Sequence, residues 1–122
     1  TYDGMATAML KKKGIIVAIL TGENSDIVIA RAEKLNIDEV YVDEHEKLKR
    51  LTYLTKKYEI SMDEVAFIGD DVNDLEVLKA VGFSALAGNS PIVDQFTPDY
   101  ITTRHGGNGA FREFADIILN AQ

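Results

Sequence analysis

The chain has 122 residues, 46% of them hydrophobic, which is the size of one domain able to bury a core without much to spare. A formal charge of −7 argues against a nucleic-acid or anionic-membrane surface, and an anionic substrate would need a locally reversed field. The absence of cysteine excludes disulfides, thiolate nucleophiles and Cys-ligated zinc and fits a reducing cytoplasm, and the longest apolar stretch, Ile15 to Leu20, falls far short of the ~20 residues that span a bilayer.

Apolar runs rich in β-branched residues alternate with segments of helical periodicity, the signature of βα repeats around a parallel sheet. The chain opens at Thr1 without an initiator Met and with no signal-peptide pattern, so its natural N-terminus is expected to lie elsewhere. The first helix is predicted over Gly4 to Lys12, capped by Asp3 and followed by Gly14 at a position that needs positive φ. A strand, Ile15 to Leu20, comes next and ends at Thr21, Gly22 and Glu23. A hydroxyl beside a glycine, just before a helix N-terminus, makes a small anion cradle. Ordinary turn chemistry is the competing reading.

A helix over Ser25 to Leu35, capped by Ser25 or Asn24, leads to a strand at Glu39 to Val42. Lys47 follows in the segment Asp43, Glu44, His45, Glu46, Lys47, near the start of a helix over His45 to Tyr58. A cation there is disfavoured by the helix dipole and wants a reason, although Lys49 and Arg50 also permit a solvated basic face. Ser61 and Glu64 have capping-box spacing ahead of the strand Val65 to Ile68. The strands at Ile15 and Val65 are apolar nearly throughout, as strands covered on both faces should be.

The loop Gly69, Asp70, Asp71, Val72, Asn73, Asp74 follows. Three carboxylates within five residues repel one another, so a cation is the natural compensation, and an all-oxygen set suits Mg²⁺ rather than zinc. Asp74 can alternatively be only a cap or turn former. A helix over Asp74 to Val81, Gly82 at a second positive-φ position, and a strand over Phe83 to Ala87 come after it. A short helix at Pro91 to Gln95, a strand at Tyr100 to Thr102, the glycine-rich turn Arg104 to Gly109 and a helix over Ala110 to Asn120 complete the chain. His45 and His105 are isolated, with no third partner at ligand spacing, and receive neither a metal nor a catalytic role. One compact α/β domain over residues 1–122 is expected, with its ligand site outside the carboxyl ends of the strands.

The ordered set Thr21-Gly22, Lys47 and Gly69 to Asp74, each after a strand, resembles the haloacid dehalogenase superfamily of phosphohydrolases. Within it, the chain is most similar to small cap-less phosphatases of octulosonate 8-phosphate and of nine-carbon nonulosonate 9-phosphates, and the tail from Arg104 to Glu113 is similar to theirs. The resemblance implies a Rossmann-like parallel sheet with helices on both faces, a Mg²⁺ cofactor, a sugar-phosphate substrate and a homotetramer. It implies that Thr21 hydrogen-bonds the phosphoryl group and that Lys47 neutralises charge on it. Asp70 would ligate Mg²⁺, supported by Asp71 or Asp74, and Asn73 would reach the phosphoryl group or a metal-bound water. Gly22, Glu23, Arg104, Gly106 and Gly107 would meet substrate, the last three from a tail that closes the site. Glu23, spaced from Lys34 as in the nine-carbon branch, implies a nonulosonate 9-phosphate first and octulosonate 8-phosphate next.

The resembled enzymes attack with the first Asp of an Asp-x-Asp pair at the end of a central first strand. No Asp-x-Asp occurs here, so these 122 residues are expected to lack that strand and the nucleophile, to be inactive alone and to fold poorly. The alternative is a degenerate domain with an assembly role, for example attached to a sugar-nucleotide synthetase. A response-regulator-like receiver shares the parallel sheet, acidic site, Thr and Lys, but its acidic pair comes early in the chain, whereas here it comes late and Lys47 precedes it.

Overall fold

The computed structural model describes residues 2–105 and 109–121. Its elements alternate as expected: α1 (Tyr2–Lys12), β1 (Ala18–Leu20), α2 (Asp26–Lys34), β2 (Glu39–Tyr41), α3 (Lys47–Lys57), β3 (Ala66–Gly69), α4 (Leu75–Ala80), β4 (Phe83–Leu86), β5 (Tyr100–Ile101) and α5 (Ala110–Asn120). Single 3₁₀ turns, Met62–Glu64 and Val72–Asp74, precede β3 and α4. All strand pairing is parallel, in two sheets of order β1-β2 and β3-β4-β5. The chain divides into two compact units, one running to His45 and resuming at Ala115, the other covering Glu46–Phe114.

In the first unit, β1 and β2 pair from Ala18↔Glu39 to Leu20↔Tyr41. The strand is shorter than predicted because Ile15 is used otherwise: its N–H bonds the Leu10 carbonyl while Gly14 N–H bonds that of Lys11. With Gly14 at φ +79, this is a Schellman closure of α1. The same device recurs twice. Asn36 (φ 56) closes α2 through bonds from Asn36 and Ile37 to Glu33 and Ala32, and Glu59 (φ 55) closes α3 through bonds from Glu59 and Ile60 to Lys56 and Thr55. Each left-handed residue is followed by an isoleucine, the apolar residue that usually accompanies this motif. Ser25 caps α2 as expected, accepting from Val28 N–H. Asp3 does not precede α1 but lies inside it.

In the second unit, β3 pairs β4 from Ala66↔Phe83 to Gly69↔Leu86, and β4 pairs β5. Leu78, Leu86 and Ile92 form a buried cluster against which Phe67, Leu75 and Phe96 pack, and Phe83 stacks on Phe114. The Ser61–Glu64 capping box is present, around a single 3₁₀ turn. Three expectations fail here. Pro91–Gln95 forms turns rather than a helix: its backbone bonds are i→i+3, from Val93 N–H to the Ser90 carbonyl and from Gln95 N–H to the Ile92 carbonyl, and Ser90 Oγ accepts Ile92 N–H. Gly82 has no positive φ. It is glycine because a Cβ would sit 2.0 Å from the Asp63 carbonyl oxygen. Finally, β1 and the first three residues of β3 are only half-buried or exposed, since each is an edge strand in its own sheet.

Candidate active site

The acidic loop is organised by its last carboxylate. β3 ends at Gly69, and the next residues run through Asp70 and Asp71 into the 3₁₀ turn Val72–Asp74. Asp74 Oδ2 accepts the N–H groups of Asp70 and Asp71 at 3.1 and 3.2 Å, and Oδ1 accepts Lys47 Nζ at 2.6 Å. Asp71 caps the turn, its carboxylate accepting from Val72 N–H at 2.6 Å. Gly69 leaves room for this: a Cβ there would meet the Asp74 side chain at 2.8 Å, closer than real Cβ contacts come. The Asp70 carbonyl accepts the Ser90 hydroxyl at 2.9 Å.

The three carboxylates therefore have different environments. Asp70 and Asp71 are exposed, whereas the Asp74 side chain is only 4% exposed with both oxygens engaged. Hard oxygen donors at Asp70 and Asp71 suit a cation such as Mg²⁺. Among the described residues, however, no three His, Cys, Asp or Glu side chains gather so as to hold a metal.

Lys47 is the first residue of α3, and its side chain is only 11% exposed. The buried Asp74 carboxylate is what offsets the unfavourable dipole. Lys49 is by contrast solvated, 82% exposed and 4.0 Å from Glu46. Asn73 is exposed on the 3₁₀ turn.

In the first unit, the Thr21–Glu23 segment extends the β1–β2 pairing past the strand ends. Thr21 N–H donates to the Tyr41 carbonyl, Glu44 N–H to the Thr21 carbonyl, and Asp43 N–H to the Glu23 carbonyl. Thr21 Oγ1 accepts Glu23 N–H at 3.1 Å, which is turn chemistry and also directs the hydroxyl proton elsewhere. Glu23 is exposed. A cavity of about 270 Å³ in this unit is lined by Lys34 together with Gly4, Ala8, Lys11, Leu35 and Asn36, and Glu23 is not on it.

The two histidines have different neighbourhoods. His45 Nε2 lies 2.8 Å from Asp43 Oδ1, and its ring lies 3.6 Å from where a Gly22 Cβ would be. Asp43 reaches this pair from a left-handed backbone, φ 53. The pair is two residues apart in sequence, a spacing that by itself does not separate partners from neighbours. His105 carries no ion pair among the described residues and approaches Gly88. Gly106 and Gly107 lie outside the described residues. Arg104 is exposed and follows β5. No helix of the described residues is long and apolar enough to cross a membrane.

Comparison with known proteins places this geometry. Residues 1–82 match the haloacid dehalogenase-like hydrolase family. The 3-deoxy-D-manno-octulosonate 8-phosphate phosphatase of Haemophilus influenzae is 37% identical over 120 residues, 98% of this chain and 67% of that protein. Its Escherichia coli K12 counterpart is 36% identical over 121 residues, 98% and 64%. The cobalt-bound Haemophilus influenzae structure superposes with a TM-score of 0.92 at 36% identity, covering 100% of this chain and 71% of that one. The Moraxella catarrhalis phosphatase, solved with magnesium, a phosphate ion and KDO, gives 0.93 at 42%, covering 99% and 70%. The chain thus spans about two thirds of the length of these relatives. With a family match over most of its length, and an acidic loop and lysine where a parallel βα frame puts its chemistry, this chain belongs to the haloacid dehalogenase-like hydrolases.

Proposed function

We propose that the natural protein hydrolyses the phosphate ester of a 3-deoxy sugar acid with Mg²⁺, octulosonate 8-phosphate first. The observation that carries this reading is the buried Lys47–Asp74 pair, 2.6 Å long, which ties a cation to the loop bearing Asp70 and Asp71. The relatives named for octulosonate 8-phosphate support the substrate class.

In this reading Asp70 ligates Mg²⁺ with support from Asp71, while Asp74 acts indirectly by holding Lys47 and the Asp70 and Asp71 backbone. Bound there, Mg²⁺ supplies charge neutralisation at the phosphate oxygens. Lys47 places a second cation beside them, Thr21 donates its hydroxyl proton to the phosphoryl group, and Gly22 lets the backbone approach closely. Asn73, Glu23 and Arg104 contact the substrate, with Gly106 and Gly107 in the tail. The nucleophile is an Asp outside these 122 residues, which forms and then loses an aspartyl-phosphate. These residues alone, as one incomplete domain, are inactive. A homotetramer in the cytoplasm belongs to the same reading.

The exposed Glu23 favours a second reading, a nonulosonate 9-phosphate substrate, since a carboxylate accepts from sugar hydroxyls or an amine where an arginine would pair with a carboxylate. Phosphate release by the complete natural protein, measured with Mg²⁺ on octulosonate 8-phosphate and several nonulosonate 9-phosphates, separates the two by kcat/KM. Release from none of them would overturn both and leave the degenerate domain, with its assembly role beside a synthetase.

A further inference from the structure

When β5 ends at Ile101, the backbone N–H groups of Thr103 and Arg104 need acceptors. One side chain supplies both. The Glu113 carboxylate, in the first turn of α5, accepts Thr103 N–H at 2.8 Å and Arg104 N–H at 3.0 Å. It also accepts the Thr103 hydroxyl at 2.9 Å and the Tyr100 hydroxyl at 2.7 Å. Burial pushes the Glu113 carboxyl up, but the bonds from Thr103 N–H, the Tyr100 hydroxyl, Arg104 N–H and the Thr103 hydroxyl outweigh it and lower it to about 2. The group is ionised at neutral pH, and its charge is directed at backbone and hydroxyl donors.

The other side of the same turn is also held. Thr102, only 2% exposed, donates its hydroxyl to the Arg104 carbonyl at 2.6 Å and accepts Gly88 N–H at 3.1 Å. Gly109, at φ +95, lies under the arginine stem: a Cβ there would be 2.7 Å from Arg104 Cδ. Both backbone polar groups of Arg104 are therefore engaged, and its Cδ passes close to Gly109. Its guanidinium has no ion pair among the described residues, in a chain whose formal charge is −7. The segment after β4 links this turn to the acidic loop, because Gly88 bonds Thr102 and Ser90 bonds the Asp70 carbonyl.

We infer that Glu113 is a positioning residue that fixes the Thr103–Arg104 turn and so presents the Arg104 guanidinium as the binding group for an oxyanion of the substrate. A carboxylate that paired with the guanidinium would cancel its charge. Glu113 instead spends its oxygens on the backbone and leaves the fork of donors to a carboxylate or phosphate. This inference rests on the phosphatase reading for the identity of the ligand, but the anchoring of the turn does not.

The test uses the complete natural protein. Glu113→Gln keeps the shape and loses the charge, and it is expected to raise KM roughly tenfold, the scale of a hydrogen bond to a charged group, while moving kcat far less. In an Arg104→Met background the same change is expected to leave KM unaltered, because the group being positioned is gone. Equal effects in both backgrounds, or a fall in kcat alone, would mean that Glu113 merely supports the fold, and the inference would fail. A sugar phosphate without a carboxylate identifies the oxyanion: Arg104→Met raises its KM only if phosphate is the group bound. Trypsin cleavage after Arg104 reads the anchor without any substrate. Faster cleavage after Arg104 in Glu113→Gln, measured well below the unfolding temperature of both proteins and with cleavage elsewhere in the chain unchanged, supports the anchor even if no sugar phosphate is hydrolysed, and identical cleavage rates overturn it.

Discussion

Lys47 Nζ lies 2.6 Å from Asp74 Oδ1, joining the first turn of α3 to the end of the acidic loop across 27 residues of sequence. Both side chains are almost wholly buried. Lys47→Met therefore leaves the Asp74 carboxylate buried with only the Asp70 and Asp71 amides, and is expected to destabilise by about 3–5 kcal/mol. Pairing it with Asp74→Asn should recover part of that loss. Urea unfolding of the two single variants and the double variant measures it, and strictly additive losses would show that the pair is not coupled.

That relationship also shows what local sequence can and cannot convey. The alternation of strands and helices and the Ser25 and Ser61 caps follow from short-range chemistry and were legible. Lys47 was visible only as an anomaly at a helix start, because its partner is distant in sequence. Sequence sets Asp74 apart from its two neighbours only as a possible cap or turn former, and it takes burial and the bond to Lys47 to show that it organises the loop. Gly82 has the sequence context of a conformational glycine, whereas what excludes a side chain is the Asp63 carbonyl oxygen, 2.0 Å from where a Cβ would be. Glu113 was just one acidic residue near a helix start until the turn after β5 brought four donors to it.

Gly82→Ala tests the contact with Asp63. A methyl group 2.0 Å from a backbone oxygen cannot be relieved by a side-chain rotation, so the turn before β4 must shift. A loss of about 1–3 kcal/mol is expected, read as a lower urea midpoint at unchanged slope. A neutral substitution would show that this backbone approach yields freely.

Glu59 closes α3 from the left-handed region, φ 55, where a side chain costs roughly 1–2 kcal/mol that glycine does not incur. Glu59→Gly is expected to stabilise the protein by about 1 kcal/mol, net of the extra freedom gained by the unfolded chain. Asn36→Gly, at φ 56, should gain less, because asparagine tolerates that region better. Thermal unfolding of both variants checks the order, and a destabilised Glu59→Gly would contradict it.

Glu113 also sets a pH dependence. Its carboxyl is lowered from 4.5 to about 2 in the folded chain, so its contribution is fully present above the unfolded value and is lost as pH falls from about 4.5 toward 2. The stability gap between the natural protein and Glu113→Gln should stay level from about pH 8 to 6 and narrow below about 4.5. A gap that widened on acidification would reverse the sign. Tyr100, raised by its bond to Glu113, by burial and by the carboxylate charge, should titrate closer to its ordinary value in the same variant.

The bonds that join Gly88 to Thr102, Thr102 to Arg104 and Arg104 to Glu113 have a kinetic consequence. Gly88 N–H is held by the Thr102 hydroxyl and the N–H groups of Thr103 and Arg104 by Glu113. Each of these protons exchanges only when its bond opens, and the bonds share the corner between β4, β5 and α5. Their hydrogen exchange should therefore proceed at one shared opening free energy, although the donors lie in two separate loops. Loosening the corner at either end would speed the exchange of all three.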